Sequence, residues 1–279
     1  MIDQNELKAL VSLLDDEDSE VFRHVHNKLS SFGHSVIPFL EKELGEREHP
    51  LIQERIKDLI QNMNYDNILN RFRNWLHSED QDLLKAMWII ASYQYPGLSF
   101  ESIHKEIEQI YYEVWLEFRY DMHPFDQIKV LNSIFFKKLN FRANTKDFHA
   151  YENSMINKVL KKRTGNPISL CIVYMLVANK LKLPVYGVNL PNLFILTYKN
   201  KEVQFYINAF NKGLIFSKAD IDNYIKQLKI DVKDEFYEPC SNLDIVKRIL
   251  NNLLIAFEKQ NAPDKISDIN KIIEVLENG

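Results

Sequence analysis

Residues 165–182 read GNPISLCIVYMLVANKLK and form an almost wholly apolar run after a short polar start. Asn166 can accept a hydrogen bond as a helix N-cap, and Pro167 suits the first helical position, where an N–H would have no partner. Residues 172–178 leave little polar face, and a helix of that kind must be enclosed on most sides. The sequence therefore predicts a central, buried helix that extends to about Lys182.

Three strand-like segments follow this helix at residues 185–188, 194–198 and 203–207. Asn200 and Lys201 are expected to form the hairpin turn between the last two segments. A central helix backed by an antiparallel sheet is an α+β arrangement. The predicted fold class is therefore α+β and mostly helical, because most of the remaining chain has helical periodicity.

The front half of the chain is predicted to be a series of amphipathic helices, since apolar residues recur at helical spacing from residue 6 to about 120. Later helices are expected at residues 50–63, 65–77, 81–93 and 100–119. The stretch from Leu13 to Leu44 resembles one HEAT-type helical repeat, with an acidic turn, a spaced Leu29, Gly33 and then Ile37-Pro38. No clean repeat period connects the later helices. We therefore expect an irregular HEAT-like stack.

Several motifs between about Phe125 and Leu276 resemble the bacterial SirB family. They are the segments YENS at 151–154, GNPISL at 165–170, LP at 183–184, GVNLP at 187–191 and NLDIVKRILNNL at 242–253. The resemblance implies a transglutaminase-like core, distantly related to papain-like thiol enzymes. With the helical front half, it predicts a HEAT-like region over 1–120, a transglutaminase-like core over 121–240 and a C-terminal helix pair over 241–279 that packs on the core.

Thiol catalysis in this superfamily needs a Cys thiolate at a helix N-terminus, a His to activate it and an Asp or Asn to orient that His. The superfamily keeps its Cys near the start of the central helix, where this chain has Pro167 and Ser169. Cys171 stands about one turn deeper, where the benefit of the helix dipole has faded. Its neighbours are apolar, so Cys171 is expected to be an inert core thiol.

The catalytic base is also replaced. The broader family commonly has His at the position that Leu193 occupies here, and no histidine occurs after His149. Asn208 stands where the resemblance places the orienting acid, but the core offers no His for it to orient. A nucleophilic Ser169 would need a base even more than a thiol does. His149 remains a weak candidate base that could fold back over the cleft.

Charge and cysteine content exclude several classes of partner. Lys and Arg total 35 against 39 for Asp and Glu, so neither nucleic acid nor an anionic membrane is expected to attract the chain. The acidic opening residues do not match a signal peptide, and no apolar run reaches roughly 18 residues, so we expect a cytoplasmic protein. Cys171 and Cys240 form no CxxC pair, and the eight histidines lack metal-ligand spacing. We expect no metal and no cofactor.

Two functions follow from these observations. The leading hypothesis is a non-catalytic protein-binding or regulatory module with a degenerate triad, whose partner is another protein or a peptide. The alternative is a thiol-dependent acyl transferase or cysteine peptidase that uses Cys171 with a non-standard base, either His149 or a group from a partner.

Overall fold

The computed structural model describes residues 3–47 and 49–279. The chain divides into two compact units, residues 1–71 and 72–279, and each has its own packed interior.

The first unit is helical. It contains α1 (Gln4–Ser12), α2 (Ser19–Ser31), α3 (Ile37–Glu46) and most of α4 (Pro50–Leu76). The acidic turn caps α2, since the Asp18 carboxylate accepts a hydrogen bond from the Glu20 N–H at 2.8 Å. The predicted apolar stripes meet in one core that includes Leu7, Val11, Val25, Leu29, Leu40 and Ile56. Its resemblance to a HEAT repeat stays a prediction.

One helix replaces the two that were predicted at residues 50–63 and 65–77. The structure has α4 running without interruption from Pro50 to Leu76, so the predicted break was wrong. Residues 61–67 contain neither Gly nor Pro, so no residue there removes a helical hydrogen bond. Met63 and Ile68, on either side of the expected break, are both buried, and packing therefore supports continuity.

The second unit holds the remaining eight α-helices of the described residues. They are α5 (Leu83–Gln94), α6 (Phe100–Trp115), α7 (Pro124–Asn132), α8 (Ile156–Lys162), α9 (Pro167–Lys180), α10 (Lys218–Leu228), α11 (Asn242–Lys259) and α12 (Pro263–Asn278). A π-helical turn, Ser133–Lys138, continues α7. Helix α9 is enclosed by α6, α8, α11 and strands of the sheet, which confirms the predicted central helix. Within the described ranges, no helix combines the length and apolar character that a bilayer crossing requires.

Two sheets lie in the second unit. A short parallel pair joins β1 (Arg142–Ala143) to β2 (Thr164–Gly165) immediately before α9. The main sheet is antiparallel in the order β3 (Val185–Leu190), β4 (Leu193–Lys199), β5 (Gln204–Asn208) and β6 (Leu214–Phe216). It packs against α9 through β3 and β4. The three predicted strands and the α+β class are confirmed, whereas β6 and the parallel pair were not predicted.

The two C-terminal helices, α11 and α12, pack on each other. Helices α5 and α6, which the sequence analysis placed in the front region, lie in the second unit and contact α8 and α9 respectively. The boundary near residue 120 stays a prediction about independently folding parts.

Candidate ligand-binding cleft

A cleft of about 220 Å³ opens at the N-terminal end of α9. Its walls come from the loop before α8, the start of α9, the turn between β3 and β4, and one face of α11. The apolar lining residues are Phe148, Ala150, Pro167, Ile168, Phe194 and Ile255. The polar lining residues are His149, Ser154, Asn166, Asn192, Arg248 and Asn252. Among the described residues, the lining therefore includes an arginine and no carboxylate.

The start of α9 is built as an N-cap. The Oδ1 atom of Asn166 accepts a hydrogen bond from the Ser169 N–H at 2.9 Å, and the Ser169 hydroxyl donates back to the Asn166 carbonyl at 3.2 Å. Pro167 takes the first helical position and faces the cleft. Ser169 is buried and does not line the cleft, so its hydroxyl contributes to the cap and is not presented as a nucleophile.

Cys171 lies beneath the cleft and does not open into it. The side chain is fully buried, and its thiol faces the Phe194 carbonyl oxygen at an Sγ–O distance of 3.6 Å. Burial raises the pKa of the Cys171 thiol far above its ordinary value, because a thiolate would lose its solvation there. Cys240 is partly exposed, and burial of its sulfur raises its pKa to about 12. Both thiols are therefore protonated at neutral pH.

Leu193 and Asn208 hold structural positions away from the cleft lining. Leu193 begins β4 opposite Leu190 and packs against the apolar cluster that contains Val188 and Tyr206. Asn208 ends β5, and its side chain caps the following turn by accepting a hydrogen bond from the Asn211 N–H at 3.0 Å. In the described parts of the chain, the Asn208 side chain forms no hydrogen bond with a histidine, and the aliphatic side chain of Leu193 cannot form one.

His149 does reach the cleft. It is exposed on the loop before α8 and packs edge-on to Phe148, with ring centroids 5.1 Å apart. The structure thus brings His149 and Pro167 into one cleft and leaves Ser169, Cys171, Leu193 and Asn208 outside its lining. In residues 3–47 and 49–279, no group of three or more His, Cys, Asp or Glu side chains is placed to hold a metal ion.

The polar side chains that α11 contributes to the cleft were not predicted from the sequence. Arg248 and Asn252 are one helical turn apart and line the same wall of the cleft. One guanidinium nitrogen of Arg248 donates to the Asn189 Oδ1 atom at 3.0 Å, which anchors the side chain to β3. Both residues belong to the tail motif that carries the family resemblance, and that membership was the signal available in the sequence.

More than half of the sequence matches a known protein superfamily. The model of the transglutaminase-like superfamily matches residues 101–251, more than half of the chain. A UPF0162 protein of Xylella fastidiosa is 26% identical over 195 residues, which cover 67% of this chain and 69% of that protein.

Two further relatives match a smaller share of the chain. The UPF0162 protein YchA of Escherichia coli is 27% identical over 140 residues, 49% of this chain and 52% of that protein. F-box only protein 21 of the mouse is 28% identical over 135 residues, 46% of this chain and 21% of that much longer protein. No solved structure matches the chain. The family-model match covers the central helix, the main sheet and part of α11, and the chain therefore belongs to the transglutaminase-like superfamily.

Proposed function

We propose that this protein binds another protein or a peptide in the cleft and does not catalyse thiol chemistry there. The observation that carries the proposal is the position of Cys171, which is fully buried below a cleft lined at the helix start by Pro167 and Ile168. A thiol acts as a nucleophile only as the exposed thiolate. The burial of Cys171 opposes both conditions, because it blocks access and favours the protonated form.

The missing base supports the same conclusion. The family resemblance places Leu193 where a histidine is common, and in the structure Leu193 packs against an apolar cluster. A cleft can persist after its catalytic groups are lost, because fold and function are separable. Without these groups, the open and partly polar cleft is suited to binding a protein or a peptide.

The finer assignments belong to this proposal. The regulatory role and the cytoplasmic location are part of this proposal as expectations from the sequence, and the helical first unit offers an interaction face like those of HEAT-type stacks. The formal net charge of -4 favours neither nucleic acid nor a membrane as a partner.

Alkylation of the native protein tests the thiol directly. Peptide mass spectrometry would follow Cys171 and Cys240 in the same sample between pH 6 and pH 9, with and without denaturant. We expect Cys171 to react only in the denatured protein, and Cys240 to serve as the partly exposed comparison. Rapid native alkylation of Cys171 below about pH 7, well under the ordinary thiol pKa near 8.5, would contradict the proposal.

The position of His149 at the cleft favours one alternative, a thiol-dependent acyl transferase or cysteine peptidase. That function requires Cys171 to move into the cleft beside His149. It predicts amide hydrolysis or transfer that both Cys171→Ala and His149→Ala abolish, while Cys240→Ala retains it. Absence of such activity on peptide amides and glutamine side chains would leave binding as the function.

A further inference from the structure

Arg248 gives the cleft a charge that the protein itself does not neutralise. The guanidinium lines the cleft and is half-buried. Within the described ranges, no Asp or Glu forms an ion pair with it, and burial lowers its pKa from the ordinary arginine value. A partly desolvated cation without a counter-ion is costly, and a bound anion would offset that cost.

The hydrogen bond from Arg248 to Asn189 leaves most of the guanidinium available. Arginine carries five N–H donors in a fixed planar fork, and one nitrogen is engaged by the Asn189 amide oxygen. That contact holds the side chain against β3 and limits its freedom before any ligand arrives. A planar fork held in this way matches the two oxygens of a carboxylate.

The other cleft residues favour a peptide as the carrier of that carboxylate. Asn192 and Asn252 offer side-chain amides, which can donate to and accept from a peptide backbone. Phe148 and Ile255 are exposed apolar side chains at the same cleft and can pack against a neighbouring apolar residue. A cleft of about 220 Å³ is smaller than the pockets of roughly 300–1,000 Å³ that hold drug-sized ligands, so it fits one or two residues.

We propose that the cleft binds a carboxylate presented by a peptide beside an apolar side chain, with Arg248 as the counter-ion. The carboxylate is either a chain terminus or an acidic side chain. The inference rests on the proposed binding function, and it adds the class of ligand.

Nuclear magnetic resonance titration of the whole 279-residue chain separates the possible sources of the carboxylate. The probes are acetyl-Leu-Leu as a free acid, the same dipeptide as a C-terminal amide, and acetyl-Leu-Glu-Leu amide. We expect the free acid or the Glu-containing amide to bind at least tenfold more tightly than the dipeptide amide, with shifts in residues of the cleft. Preference for the free acid identifies a chain terminus, and preference for the Glu peptide identifies an acidic side chain. Equal affinity for all three probes, or no binding of either carboxylate probe, would overturn the inference.

Variants of the arginine test its role. Arg248→Gln removes the charge and should weaken carboxylate binding at least tenfold with little effect on the uncharged amide, while Arg248→Lys should retain part of the preference. Lys247→Gln removes the adjacent cation, which does not line the cleft, and should leave the preference unchanged. An unaltered preference in Arg248→Gln, or an equal loss in Lys247→Gln, would refute the assigned role. Thiol-dependent turnover would instead refute the proposed function, so the two failures are distinguishable.

Discussion

The first residue-scale test concerns Gly165, which stands immediately before the cap of α9. A Cβ atom at this position would lie 2.3 Å from the Ser169 Oγ atom and 3.4 Å from the Leu170 Cγ atom. Since Ser169 is buried, the neighbour cannot swing into solvent. We expect Gly165→Ala to lower the free energy of unfolding by about 1–3 kcal/mol, as overpacking commonly does, and urea denaturation would measure the loss.

The controls for this prediction use the clashing atom itself. Adding Ser169→Ala to Gly165→Ala removes the Oγ atom and should restore part of the lost stability. Gly97→Ala is the matched control, because an added Cβ would meet no atom within 4 Å. The steric account fails if the double variant is as unstable as the sum of its two single substitutions.

The buried thiol of Cys171 makes stability depend on pH. Its pKa in the folded protein is raised by burial, whereas the unfolded chain should titrate near the ordinary value of about 8.5. Above that pH the unfolded state loses a proton that the folded state keeps, so the unfolding free energy falls as pH rises. One such proton contributes a slope of about 1.4 kcal/mol per pH unit. We expect Cys171→Ala to remove roughly one proton's slope between pH 9 and pH 10.

Chemical denaturation of the wild type and of Cys171→Ala between pH 9 and pH 10 measures how the unfolding free energy of each depends on pH. The wild-type slope also includes Cys240 and buried tyrosines, so the informative quantity is the difference between wild type and Cys171→Ala. An unchanged slope would show that Cys171 already ionises in the folded protein.

Parts of the candidate site could be predicted at the residue scale. The N-cap role of Asn166 and the first-turn position of Pro167 depend on neighbouring residues, and local sequence therefore predicted them. Arg248 depends on how α11 folds back to the start of α9, which periodicity does not encode. Its inclusion in a family-like motif was the available signal, but a motif does not show which side chains meet.

At the scale of elements, Asn132 links α7, α9 and the turn before β6. Its Oδ1 atom accepts a hydrogen bond from the Tyr174 hydroxyl at 2.9 Å, and its Nδ2 atom donates to the Gly213 carbonyl at 2.8 Å. Tyr174 is fully buried, so without Asn132 its hydroxyl would lose this acceptor. We expect Asn132→Ala to cost about 1–3 kcal/mol of stability, measured by chemical denaturation.

A double-mutant cycle distinguishes this link from simple loss of packing. In the Asn132→Ala background, Tyr174→Phe removes the hydroxyl that has lost its acceptor. The double variant should therefore lose less stability than the sum of the losses in the two single variants. Asn251→Ala, at an exposed position of α11, should change stability by less than about 0.5 kcal/mol. Strict additivity in the cycle would show that the two side chains are not coupled.

The predictions of helices and strands were right where the sequence pattern was local and extended over several residues. The central helix carries a long apolar run and the three main strands are rich in aromatic and β-branched residues, and both types of element were predicted correctly. Strand β6 has only the residues Leu214–Phe216, and β1 and β2 have two residues each, so none offers a full alternating pattern. The break expected in α4 failed because a polar interruption of the stripe is not a helix stop when Gly and Pro are absent.

At the scale of the whole molecule, the division into residues 1–71 and 72–279 raises the question of whether the two units unfold separately. The interior of the first unit is formed by side chains of α1 to α4, and both thiols belong to the second unit. Regions with separate cores can open as separate cooperative units. Cys171 then reports opening of the second unit, since its buried sulfur must become exposed before it can be alkylated.

Matched leucine-to-alanine substitutions, one in each core, test whether the two units unfold separately. Leu29 in α2 and Leu250 in α11 are both fully buried, and truncation of either to alanine should cost about 2–5 kcal/mol locally. We expect Leu29→Ala to speed hydrogen exchange in α1 to α3 and to leave the alkylation rate of native Cys171 unchanged. Leu250→Ala should produce the reverse pattern. If Leu29→Ala accelerates Cys171 alkylation as much as Leu250→Ala does, the chain opens as one cooperative unit, since the stability lost in either core is then felt in both.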